Sequence, residues 1–83
     1  MNEATLQQVE ALIETFAERL TGKSDPETVE KIKLWSIYSH IHKTMPPLTA
    51  HWTQEHPEAK TDMRQLFEEI KEWNEQFRAQ NKQ

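Results

Sequence analysis

The chain has no cysteine and only one glycine in 83 residues. Without thiols there is no disulfide framework, no thiolate zinc site and no cysteine nucleophile. A single glycine, Gly22, rules out a glycine-rich loop that wraps a phosphate. No segment reaches the ~18 consecutive apolar residues that a membrane span requires. The opening Met1-Asn2-Glu3-Ala4 has no basic stretch followed by an apolar run, so it does not read as a secretory leader. These absences imply a soluble, cytoplasmic protein. The most informative absence is local. From Lys31 to Gln54 there is no Asp or Glu, although the chain carries 14 acids against 10 Lys and Arg. The same segment holds Trp35, Trp52, the sole tyrosine Tyr38, His40, His42, His51 and the Met45-Pro46-Pro47 break.

Composition sets the remaining bounds. At 35% hydrophobic and 29% charged, the chain is polar, yet seven aromatics and regular apolar stripes are enough to order one small domain over residues 1–83. A net charge of −4 argues against nucleic-acid binding. Lys31, Lys33 and Lys43 are the only fixed charges in the acid-free segment and make a poor phosphate stripe.

Helical periodicity dominates and strand-like alternation is absent, so the expectation is an all-α fold. Helices are expected at about 3–21, 25–44, 47–55 and 57–79. Asn2 is a good N-cap for the first helix and Gly22 its stop. Leu6, Val9, Leu12, Ile13, Phe16, Ala17 and Leu20 share one stripe, expected to face the core, beside a solvated ladder of Glu10, Glu14 and Glu18. In Ser24-Asp25-Pro26-Glu27, Ser24 and Glu27 have capping-box spacing, while Asp25 offers a second cap with Pro26 at the first helical position. Glu27 and Lys31 then form an i,i+4 pair.

The second helix is apolar over more than half its circumference. Leu34, Ile37, Tyr38, Ile41 and Met45 make one face, while Ile32, Trp35 and Val29 extend towards another. Such a helix packs on two neighbours or on a partner chain. Pro46-Pro47 ends it, because neither ring donates an amide hydrogen. A short helix follows, with Leu48 and Trp52 expected to plug one end of the fold. Pro57 opens the last helix, whose stripe is Ala59, Met63, Leu66, Phe67, Ile70, Trp73 and Phe77, and the tail Gln80-Asn81-Lys82-Gln83 is expected to fray. Three long helices with short connections imply an antiparallel three-helix bundle, with the short extra helix between helices two and three.

Chemistry-bearing arrangements are sparse. His40 and His42 are two apart and point to opposite sides of a helix, and His51 and His56 straddle a proline boundary. His51 and Glu55 have usable i,i+4 spacing, but two ligands are too few for a metal site. Ser36 and Ser39 lie near His40 with no strained turn or oxyanion donors, and read more simply as small residues that let helices approach closely. The sequence therefore predicts no enzyme, no catalytic residue, no metal ligand and no cofactor. The aromatic excess is what remains. It nominates a partner surface of Ile32, Trp35, Ser36, Ser39, Lys43 and Trp52, to be covered by a protein partner or by a second copy in a homodimer, with neither nucleic acid nor membrane involved. A histidine-based metal or small-ligand site stands as a third reading.

The run from Lys33 to Leu48, Lys-Leu-Trp-Ser-Ile-Tyr-Ser-His-Ile-His-Lys-Thr-Met-Pro-Pro-Leu, followed by His51-Trp52, resembles a small family of uncharacterised helical cytoplasmic proteins from Bacillus-type Gram-positive bacteria. The resemblance extends through the last helix with lower specificity. It implies a compact helical protein of unknown function and carries no catalytic residue to transfer.

Overall fold

The computed structural model describes residues 1–81; Lys82 and Gln83, half of the tail expected to fray, lie outside the described residues. Among those described, the chain is all-helical: α1 (Glu3–Thr21), α2 (Pro26–Thr44), α3 (Pro46–Glu55) and α4 (Pro57–Gln80). Each boundary has a local cause. The Asn2 side chain accepts the Thr5 amide at 2.8 Å and starts α1. Gly22 ends it in the left-handed region at φ 77°, with its N–H donating to Glu18 O at 2.7 Å.

At the start of α2 the Asp25 cap is the one formed. Thr28 donates both its amide, at 3.1 Å, and its hydroxyl, at 2.8 Å, to the Asp25 carboxylate. These two hydrogen bonds, the hydroxyl's first, hold the Asp25 carboxyl below its ordinary 3.8. The stabilisation that follows is present while Asp25 is ionised and is lost as pH falls through the lowered folded-state value. Asp25→Ala is therefore expected to melt at a lower temperature than the parent near neutral pH. The two melting curves should converge as pH falls through the lowered folded-state value, below which the carboxylate is protonated in both states. A gap that persists unchanged in thermal scans across that range would mean the cap is not the cause.

Two single-residue joints follow, and both come from the same chemistry. Met45 before Pro46 sits at φ −138°, ψ 68°, and His56 before Pro57 at φ −130°, ψ 72°. A residue preceding proline is pushed out of the helical region, and proline itself suits the first position of a new helix. The chain thus bends twice without a loop.

α1 touches α2 and α4 but not α3, while α2 touches all three other helices. The core is small: Ala17 from α1, Val29 and Ile32 from α2 and Ile70 from α4, with Ile13, Leu20, Trp35, Leu66 and Trp73 packed around them. Asn74 of α4 donates to the Leu20 carbonyl at 2.8 Å, giving the end of α1 a partner beyond its own turn. Lys31 joins α2 to α4 through Glu69 at 2.7 Å and also lies 3.7 Å from Glu27.

Two expectations about packing need correction. The α1 stripe is amphipathic, but only its inner residues are covered: Leu6, Val9, Leu12 and Phe16 remain 39–67% exposed. Leu48 and Trp52 do not plug the fold either. The side chain that buries α3 is Thr49, while Leu48 is 53% exposed and Trp52 37%. The molecule is correspondingly broad and thin, about 40 × 39 × 21 Å, with a radius of gyration of 14.8 Å.

Candidate interaction surface

On α2, Leu34, Ile37 and Ile41 recur at i, i+3 and i+7 and line up on one side of the helix. α3 folds back beside them and brings Leu48 and Trp52, one turn apart, to the opposite wall; Met63 of α4 closes the end. The result is an apolar groove of about 380 Å³ with Tyr38 and Thr49 in its floor. Leu34 and Ile37 stand more than half exposed along its length.

Polar chemistry beneath the groove holds α3 in place. The Thr49 hydroxyl lies 3.1 Å from the Pro46 carbonyl oxygen and 2.7 Å from Nδ1 of His42. If the hydroxyl proton goes to the carbonyl, His42 must donate from Nδ1, which fixes its tautomer. His42 in turn stacks on Tyr38 with ring planes 4° apart. Tyr38 meets Phe67 edge-on at 5.9 Å and Trp52 at 6.0 Å, and Trp52 leans on His56 at 5.5 Å. The aromatics form one continuous brace across α2, α3 and α4, so the groove walls are fixed relative to one another.

The residues singled out by the sequence fall on both sides of α2. Ile32 is fully buried in the core and is not a surface residue. Trp35, Ser36 and Ser39 are partly buried, with Trp35 edge-on to Phe67 at 6.4 Å and packed against the core. Lys43 and Trp52 are exposed, and Trp52 alone of the six lines the groove. Leu34, Ile37 and Ile41, grouped in the sequence as one face, line the groove, and the Ile32 face turns inwards. The periodicity that revealed both faces contains no term for which neighbour each will meet.

The histidines do not gather. His51 Nε2 pairs with Glu55 at 3.0 Å on the surface of α3. Among the described residues no three of His, Asp or Glu converge in metal-binding geometry. Nor is any helix among them long and apolar enough to cross a membrane.

Residues 3–80 match the family described as "Protein of unknown function (DUF2573)". The chain belongs to this family. It is similar to "Uncharacterized protein YusU" of Bacillus subtilis (strain 168), with 40% identity over 83 residues that cover all of this chain and 85% of that protein. No solved structure matches. The resemblance carried by Lys33–Leu48 and His51-Trp52 thus extends along nearly the whole chain, in a family of the Bacillus type. Neither the family description nor the relative points to an enzymatic activity.

Proposed function

We propose that this chain is a non-enzymatic protein–protein interaction or regulatory module of the cytoplasm. In this reading residues 1–83 act as one domain in which α1, α2 and α4 form an antiparallel three-helix bundle, and α3 is carried on its side as one wall of a docking groove. The observation that carries the reading is the groove itself. Its walls are Leu34, Ile37, Ile41, Leu48 and Trp52, and no cluster of polar side chains points into it. Small-molecule sites place a few convergent polar groups among apolar ones to fix their ligand. An open and nearly purely apolar groove instead suits the i, i+3, i+4, i+7 anchors of an amphipathic helix. Large exposed apolar patches on small proteins mark such contacts. Lys43 stands on the same acid-free segment and favours an acidic partner. Ile32 and Trp35 support the surface from beneath, and Ser36 and Ser39 lie on the core side of α2. Neither nucleic acid nor membrane is a partner in this reading.

The test is photo-crosslinking in the native cell. A photoreactive phenylalanine analogue replacing Ile37 is expected to give a light-dependent covalent adduct with a protein. The same replacement at Glu72, on the exposed side of α4, gives none. If positions 37 and 52 both yield no protein adduct from chains that show the parental circular dichroism, the groove is not a protein-binding surface.

A further inference from the structure

We propose that the occupant of the groove is a second copy of the chain. The exposed α1 stripe of each protomer, Leu6, Val9, Leu12 and Phe16, seats in the α2–α3 groove of the other about a twofold axis. The inference rests on the reading of the groove as a protein-binding surface and names what fills it.

Area is the first argument. A folded monomer of 9.9 kDa has about 5,200 Å² of accessible surface by the usual scaling. This protomer exposes 6,708 Å². The excess is about 1,500 Å² per chain, or about 3,000 Å² for a pair, which is the range of obligate homodimers. Dimensions agree. A compact chain of this length has a radius of gyration near 12 Å, whereas this one has 14.8 Å. The surplus surface is also concentrated in apolar residues, with eleven large hydrophobic side chains at least 36% exposed.

Shape is the second. One exposed apolar surface is convex, a helix stripe; the other is concave, a groove with helical spacing on its wall. The stripe cannot fill the groove of its own chain, because α1 makes no contact with α3. Two copies satisfy both surfaces together. A twofold arrangement places stripe in groove twice and closes, where a single head-to-tail contact would propagate into a filament. A different protein seated in the groove would leave Leu6, Val9, Leu12 and Phe16 uncovered.

Charge is the third. α1 carries Glu3, Glu10, Glu14 and Glu18 against Arg19 alone, whereas Lys31–Gln54 carries three lysines and no acid. The two elements attract each other across the interface, and α1 would be repelled from a second α1.

Sedimentation equilibrium over about a hundredfold dilution is expected to give twice the 9.9 kDa chain mass at the upper concentrations. Leu12→Glu and Ile37→Lys, both at side chains exposed in the protomer, should each weaken the dimer at least about a hundredfold. Mixing these two variants leaves one of the two contacts native and sets opposite charges in the other. A heterodimer should therefore return at concentrations where each alone is monomeric. If either variant loses its helical circular dichroism, the purified chain bearing the photoreactive analogue at Ile37 replaces it, and its adduct should map to residues 6–16 of the second copy. A wild-type monomer throughout, or an adduct mapping elsewhere on the second copy, overturns the inference. A wild-type monomer whose position 37 still captures a different protein in the cell overturns the inference alone and leaves the proposed function standing.

Discussion

Ile32→Ala is expected to destabilise the protein by about 2–5 kcal/mol, the range for removing three carbons from a fully enclosed aliphatic side chain. Ile32 has no solvent exposure and is the largest fully buried side chain among the described residues. It sits among Ala17 of α1, Val29 of its own helix and Ile70 of α4, so one side chain joins three helices. The cavity left by truncation would be lined by groups from all three, and none can move in without leaving another. An 83-residue protein has roughly 4–12 kcal/mol of total stability, and a core of four buried apolar residues places this one near the lower bound. With a urea dependence of about 1–1.5 kcal/mol per molar, the midpoint should fall by at least about 1.3 M at fixed chain concentration, and a loss near the upper end of the range would leave the chain unfolded without urea. Ile32→Val removes one methyl group and should cost about 0.5–1.5 kcal/mol. Were the alanine variant to melt with the valine variant, the three-helix contact at Ile32 would not be the centre of the fold. Phe16, read from the sequence as core, is the contrasting case. At 44% exposed it has little cavity to leave in the protomer, and its truncation belongs with the assembly experiments.

What could be read from the sequence was what is decided locally. Asn2, Gly22, Asp25-Pro26, Met45-Pro46 and His56-Pro57 mark the helix ends through hydrogen bonds and backbone sterics that span four residues or fewer. No distant contact is needed to place them. The stripes of α1 and α4 were legible for a related reason, since 100° per residue fixes the relative directions of side chains on one helix. Coverage is a different quantity. Leu6 and Leu20 share a stripe, but Leu20 packs on the core and Leu6 is half exposed. Which part of the stripe meets a neighbouring helix is a tertiary fact with no counterpart in periodicity, and α1 makes no contact with α3.

The groove was the less legible part. Its α2 wall was visible as a face, but periodicity does not say whether such a face is covered or left open, and here Leu34 and Ile37 stay more than half exposed. The wall from α3 depends on how a ten-residue helix docks, and its buried anchor is Thr49, whose hydroxyl meets the Pro46 carbonyl oxygen and His42 Nδ1. A polar residue that buries itself by pairing with a histidine seven positions earlier leaves no trace in a hydrophobic pattern. The aromatic excess drew attention to the segment from which most of the groove's lining comes. Of the six residues chosen there, only Trp52 lines the groove, because Ile32 and Trp35 occupy the half of α2 that the core claims.

Gly22→Ala is expected to be the second most damaging single substitution, for two reasons that can be separated. The residue sits at φ 77°, in the left-handed region, where a β-carbon costs about 1–2 kcal/mol. That β-carbon would also lie 2.6 Å from Cδ1 of Phe77, 3.1 Å from Cε1 and 3.3 Å from Cγ. The clash is with the edge of an aromatic ring near the attachment of the side chain, so relief requires Phe77 to move as a whole. Phe77 is partly buried where α4 closes over the α1–α2 turn, one helical turn beyond Asn74 and its bond to the Leu20 carbonyl. Displacing it loosens that closure and should bring the total cost to about 2–4 kcal/mol. The parts are resolved by a double-mutant cycle with Phe77→Ala. In that background the steric contribution is already gone, and Gly22→Ala should cost only the conformational 1–2 kcal/mol or so. Strict additivity in urea melts of the four proteins would show that the ring is not what confines position 22. A coupling of about 1 kcal/mol or more would show that the turn joining α1 to α2 is set by a glycine in two ways: through the backbone conformation it adopts, and through the room it leaves for a side chain fifty-five residues further along the chain.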